Sequence, residues 1–261
     1  MPDLSITFLG TGTSQGVPMI GCHCPVCSSA DPRDNRTRSS VFVRTPEAAL
    51  AVDTGPDFRT QCLRERVDWL DGVLFTHPHT DHIMGFDDLR RFCDMQPSGK
   101  LPIYGSPETM AAIRRVFAFA FDEGVRYPGY LHPEPHLVTG PFVLGETLIT
   151  PLPVPHGSIT VNGYLFTRGG VKLFAYLSDC KAVPPAVRET IRGVRAIALD
   201  ALRLRPHPTH MSLDEALETA AAVGAGETYL THLCHDLGHE ETQRSVPAGT
   251  YVAYDGLTIH L

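Results

Sequence analysis

The 261-residue chain lacks several features, and each absence excludes a class of protein. It has no run of about 18 apolar residues, which excludes a helical membrane span. Its opening, Met-Pro-Asp-Leu-Ser, has no basic stretch leading into an apolar one. No export signal is therefore expected, and the cytoplasm is the expected location. Positive charge is in deficit: 22 Lys and Arg stand against 29 Asp and Glu, a formal net charge of −7. That argues against a protein that coats nucleic acid, and no stable nucleic-acid partner is expected. No repeat, low-complexity tract or Gly/Ser linker divides the chain, so one domain over 1–261 is expected.

The 43% of hydrophobic and 20% of charged residues are those of an ordinary soluble globular chain, long enough to bury a sizeable core. What stands out is clustering. Three of the 7 cysteines fall together (Cys22, Cys24, Cys27), as do His77, His79 and His82, and again His232, His235 and His239. An odd cysteine count without an export signal favours thiolate metal ligation over a disulfide framework.

Short apolar or alternating runs predict strands over 4–9, 40–44, 50–53, 72–76 and 101–104, then 142–152, 163–167, 171–177, 196–199, 228–231 and 250–261. Arg168-Gly169-Gly170 reads as a hairpin turn. Amphipathic helices are predicted over 58–69, 83–95, 107–119, 184–191 and 213–223, the last opened by a Ser212/Glu215 capping box. The class is α/β: two sheets covered by helices on the outside. The proline-broken stretch 123–139 reads either as a loop over an active site or as a surface excursion.

The strongest signal is Thr76-His77-Pro78-His79-Thr80-Asp81-His82, placed between an apolar strand and a helix. His77 and His79 can meet one cation from an extended loop, while Asp81 and His82 turn toward a second as the helix starts, with Gly85 leaving room. Three further ligand residues each follow a strand directly: His156, Asp179 and His232. Imidazole and carboxylate suit zinc, manganese or iron. Cys22, Cys24 and Cys27 offer three thiolates on a tight loop, and a structural zinc takes four ligands. His235 is the best fourth, with His23 and Cys234 as alternatives.

The H-x-H-x-D-H motif with His156, Asp179 and His232 resembles the metallo-β-lactamase superfamily over nearly the full length. The resemblance implies an αββα sandwich, a first metal held by His77, His79 and His156, a second by Asp81, His82 and His232, and Asp179 bridging them. The C-x-C-x-x-C paired with His235, the opening Leu9-Gly10-Thr11-Gly12-Thr13-Ser14-Gln15-Gly16-Val17-Pro18 and the late Tyr254-Asp255-Gly256 are similar to the cyclic phosphodiesterase branch. That branch includes the ribosyl 1,2-cyclic phosphate hydrolase of the carbon–phosphorus lyase pathway.

The resemblance implies two divalent metals in the active site (manganese or zinc), one structural zinc, and a small cyclic phosphodiester of ribose or a nucleotide as substrate. A metal-bridging hydroxide would attack phosphorus, because paired cations both bind phosphoryl oxygens and acidify water. The branch's general acid matches His210, with His207 as rival; a histidine donates well at neutral pH. Asp81 belongs to the same catalytic centre. Asp53, Asp200 and Asp255 are candidates for orienting ligand histidines. Arg90, with Arg91 beside it, could clamp phosphate, and His239 could touch substrate. A homodimer is left open.

A tRNA 3′-processing endonuclease would need a Lys-rich arm that is not seen, and glyoxalase-type thioesterases lack the cysteine loop. A flavodiiron protein would usually carry glutamate at His79. Lactonases share the ligands, and a zinc-binding interaction module would be expected to lose some of the seven.

Overall fold

The structure is a computed structural model that describes residues 4–122, 124 and 129–261. The first sheet is built from β1 (Ser5–Gly10), β2 (Ser40–Arg44), β3 (Ala49–Val52), β4 (Gly72–Leu74), β5 (Leu101–Gly105) and β6 (Pro133–Leu137). The second takes β7 (Phe142–Leu144), β8 (Thr147–His156), β9 (Ile159–Arg168), β10 (Val171–Leu177), β11 (Ala196–Asp200), β12 (Glu227–Thr231) and β13 (Thr250–Val252). The last strand, β14 (Thr258–His260), returns to the first sheet beside β1. The helices are α1 (Phe58–Glu65), α2 (Thr80–Ile83), α3 (Arg90–Met95), α4 (Pro107–Val116), α5 (Pro185–Ile191), α6 (Leu213–Val223) and α7 (His239–Ser245).

Strand alternation explains the layers. Leu50 and Val52 of β3 and Phe174 and Tyr176 of β10 point into a core between the sheets, where Ile6, Phe8 and Phe166 join them. Their neighbours Ala49 and Ala51 face a second core under α1, α3 and α4. Ala175 and Leu177 face a third under α5 and α6. Three apolar layers between four structural ones make the αββα sandwich. No helix of the described residues is long and apolar enough to cross a membrane.

Several boundaries differ from those read in the sequence. The run 142–152 is a hairpin, β7 and β8, and the run 250–261 divides between the two sheets. The strand expected over 163–167 begins earlier, at Ile159. The helix expected over 83–95 breaks at Gly85, where a Cβ would stand 2.2 Å from the Gly55 carbonyl oxygen. The expected helices 58–69 and 107–119 stop at Glu65 and Val116. Part of the stretch 123–139 (Glu123 and 125–128) lies outside the described residues. Within it, Pro133–Leu137 is an edge strand pairing parallel with β5, a position where proline's missing donor is tolerated. The Gly169-Gly170 turn joins β9 to β10, both glycines at positive φ (53° and 79°), as a tight hairpin requires. The Ser212/Glu215 box caps α6.

β8 and β10 flank β9 antiparallel, and β10, β11 and β12 run parallel. The C-terminal ends of β8, β10, β11 and β12 therefore share one edge of the second sheet. The end of β4 approaches the same edge: the Tyr164 hydroxyl on β9 donates to the Phe75 carbonyl at 2.8 Å. Functional side chains gather where parallel strands end.

Candidate metal centre

Two ligand groups lie on that edge. His77, His79 and His156 form one, and Asp81, His82, Asp179 and His232 the other, the ligand atoms of each lying within 4.8 Å of one another. Asp179 stands between them. Its Oδ2 is 4.0 Å from His77 Nε2, while its Oδ1 is 3.2 Å from His82 Nε2 and 3.3 Å from His232 Nδ1. All are buried except His79, which is exposed and opens the site to solvent.

Hydrogen-bond partners assign the tautomers. Asp53 accepts from His82 Nδ1 at 2.7 Å, and the Thr209 carbonyl accepts from His156 Nδ1 at 3.0 Å. Thr76 Oγ1 donates to Asp53, so it accepts from His77 Nδ1 at 2.9 Å. Each Nδ1 carries a proton, so Nε2 is the nitrogen turned toward the cation position. His77 Nε2, His82 Nε2 and Asp179 Oδ1 are buried without a hydrogen-bond partner. Orphaned buried acceptors of this kind are costly unless a cation satisfies them. The residues fit divalent metals with nitrogen and oxygen ligands.

The electrostatics agree. Burial drives His77 well below its ordinary value and lowers His156 and His232, the last to about 4. Burial opposes charge on His82 too, yet Asp179, Asp81 and Asp53 raise it well above its ordinary value: the carboxylates at its Nε2 draw a positive charge there, a proton where no cation is bound. Burial alone would raise Asp179, but His232 and His82 bring it well below the carboxylate range. The pocket is a concentration of negative charge suited to cations.

A third ligand-type group, His156, Asp179 and His210, overlaps the first two. His210 Nδ1 lies 2.7 Å from Asp200 Oδ2, and its ring stacks on His232 with centroids 4.8 Å apart. Burial pushes Asp200 up to about 7 against the pull of His210, and the bond to Asp200 raises His210 despite its own burial. The rival His207 is turned into its loop, its Nδ1 accepting from the Thr209 amide at 3.3 Å. Both histidines border a cavity of about 260 Å³ between the glycine-rich turn (Thr13, Ser14) and Arg203 and Arg205.

The second cluster places His235 Nδ1 3.2, 3.4 and 3.6 Å from the sulfurs of Cys22, Cys24 and Cys27. Edges of about 3.5 Å are those of a tetrahedron around zinc with Zn–S near 2.3 Å and Zn–N near 2.0 Å. The alternatives stand apart: His23 is exposed, and Cys234 Sγ accepts from the Asp236 amide.

Three expectations are corrected. Arg90 is ion-paired with Asp87 on an exposed helix and borders an outer groove with Phe58, Leu63 and Phe92. Asp255 orients no ligand histidine. It binds Thr11 and Thr37 through backbone amides (2.9 Å each) and hydroxyls, tying down the glycine-rich turn. His239 begins α7, its amide on Asp34 and its ring against Tyr254. Sequence reasoning missed Ser39, whose hydroxyl lies 3.1 Å from His232 Nδ1 and donates to the Gly12 carbonyl. No pattern signals it, because the contact spans most of the chain. Thr76 was legible only as a neighbour of His77.

A model of the Beta-lactamase superfamily domain matches residues 49–233. A solved diphosphatase of the PhnP family is 41% identical with a TM-score of 0.91, the alignment covering 99% of this chain and 97% of that one. The Octanoyltransferase of Porphyromonas gingivalis is 35% identical over 258 residues, 96% of this chain; the chain spans about half (50%) of that curated relative. The fold is shared by zinc-bound PqqB from Methylobacterium extorquens, 21% identical with a TM-score of 0.81 over 98% of this chain and 100% of that one. The chain belongs to the β-lactamase superfamily. Within that superfamily it resembles the PhnP branch.

Proposed function

We propose that the protein is a binuclear metal-dependent phosphodiesterase acting on a small, cyclic phosphodiester of ribose or a nucleotide, with one structural zinc. The observation that carries this reading is Asp179, whose two oxygens face the two ligand groups separately. His77, His79 and His156 would hold one ion, Asp81, His82 and His232 the other, and Asp179 both. When bound, manganese or zinc at these positions supplies Lewis-acid charge for the phosphoryl oxygens and acidifies water.

The chain's own residues do the rest. Asp53, Thr76 and the Thr209 carbonyl aim the imidazoles by taking their Nδ1 protons. His210 gives the leaving oxygen its proton, since an alkoxide is a poor leaving group at neutral pH. The adjacent cavity receives the remainder of the substrate, with Arg203 and Arg205 beside it. The likeness to a PhnP-family diphosphatase supports phosphorus chemistry. The reading also takes 1–261 as one cytoplasmic domain without nucleic-acid partners.

The test is to strip the active site, confirm that about one zinc remains, and reload with manganese or zinc. The protein is then assayed on bis(p-nitrophenyl) phosphate, cyclic nucleotides, a thioester and a lactone. Metal-dependent turnover of the diesters alone supports the reading. Turnover only of the thioester or lactone overturns it.

A further inference from the structure

We propose that Asp200 is a positioning residue for the proton donor: it holds His210 by Nδ1 so that Nε2 alone faces the metal-ligand groups. The inference rests on the diesterase reading and adds a residue to it.

Asp200 is the last residue of β11 and has 0% exposure. A carboxylate so far from water is costly unless donors surround it. Its Oδ2 receives two, the Cys180 amide at 2.9 Å and His210 Nδ1 at 2.7 Å, while its Oδ1 is buried without a hydrogen-bond partner. Cys180 directly follows Asp179, so one carboxylate joins the segment between the ligand groups to the loop carrying His210. The rigid backbone donor fixes the oxygen, and the fixed oxygen in turn fixes the ring.

The other contacts complete the clamp. His210 lies parallel to His232 (11° between planes) and meets His156 edge-on with centroids 4.6 Å apart. The preceding residue is pinned as well, its carbonyl taking the His156 Nδ1 proton at 3.0 Å. With Nδ1 engaged, Nε2 is the nitrogen left to face His156 and Asp179. Without Asp200 the imidazole is free to carry its proton on either nitrogen or to turn away.

Two readouts test this. Two-bond proton–nitrogen spectra of the native protein are expected to show His210 protonated on Nδ1, and to lose that state in Asp200→Ala. In metal-loaded enzyme, bis(p-nitrophenyl) phosphate releases a nitrophenolate that needs no proton, whereas a cyclic nucleotide releases an alkoxide. The ratio of kcat on the nitrophenyl ester to kcat on the cyclic nucleotide should rise about 100-fold in both Asp200→Ala and His210→Ala, the usual worth of a general acid. The double variant should be no worse than His210→Ala, as expected of residues acting as one unit.

Equal losses on the two esters, additive losses in the double variant, or native His210 protonated on Nε2 alone would each overturn the proposal. So would loss of an active-site metal in His210→Ala, which would make that histidine a ligand. Should Asp200→Ala fail to fold, the native spectrum still decides. A native enzyme that cleaves neither ester sinks the diesterase reading, while the spectrum tests the clamp separately.

Discussion

Asp53 holds His82 from a backbone position that few non-glycine residues adopt: Asp53 sits at φ 64°, and its Oδ2 is 2.7 Å from His82 Nδ1. Its second oxygen takes the Thr76 amide at 2.8 Å, so one carboxylate spans both ends of the metal motif. His232 is likewise at positive φ, 57°. Such conformations cost of order 1–3 kcal/mol and persist where the surroundings impose them.

Asp53→Asn should therefore weaken metal binding. The amide must turn an N–H toward either the Thr76 amide or His82 Nδ1–H, two donors facing each other. Loss of an outer carboxylate typically costs about 10–100-fold in metal affinity. Competition with a chromophoric chelator reads this directly, and native affinity would contradict the orienting role.

Asp179→Ala should abolish diester turnover and empty at least one active-site metal position while elemental analysis still finds the zinc of the cysteine loop. Retained full activity would refute the ligand assignment, because the two Asp179 oxygens face the two groups separately.

Cys24→Ser should act chiefly on stability. Structural zinc binding is coupled to folding, and a loss of about 2 kcal/mol lowers Tm by roughly 4–8 °C in a chain of this size. The melting curve and zinc content are measured together. An inactive variant with native Tm and zinc would contradict a structural role.

Gly85→Ala should destabilise by about 1–3 kcal/mol, the usual cost of overpacking. The new Cβ would meet the Gly55 carbonyl oxygen at 2.2 Å and Phe58 Cβ at 2.9 Å. Gly140→Ala is the control, with nothing within 4 Å of its Cβ. Urea midpoints compare them, and equal midpoints would show that the close approach is not needed.

Removing the active-site metals with a chelator should lower Tm as well. His77 Nε2, His82 Nε2 and Asp179 Oδ1 are buried without hydrogen-bond partners, and a ligand that binds only the folded state stabilises it by mass action. An unchanged Tm after confirmed metal loss would mean that the cluster tolerates its own charge.

Local chemistry was legible in the sequence. The H-x-H-x-D-H run, the strand ends before His156, Asp179 and His232, the Ser212 cap and the glycine turn at 169–170 each depend on residues a few positions apart. Periodicity of two likewise announced most of the strands that build the cores.

Tertiary structure decided what depends on distant partners. It sent 250–252 and 258–260 into different sheets, because pairing with β12 and with β1 is long-range. It broke the helix after the motif, because Gly85 must pass against Gly55. It chose among look-alike side chains as well. Asp200, not Asp255, reaches a histidine beside the ligands, and His235, not His23 or Cys234, reaches the three sulfurs. A ligand's type is written in its own residue, but its aim comes from hydrogen-bond partners that only folding brings within 3 Å, such as Ser39 for His232.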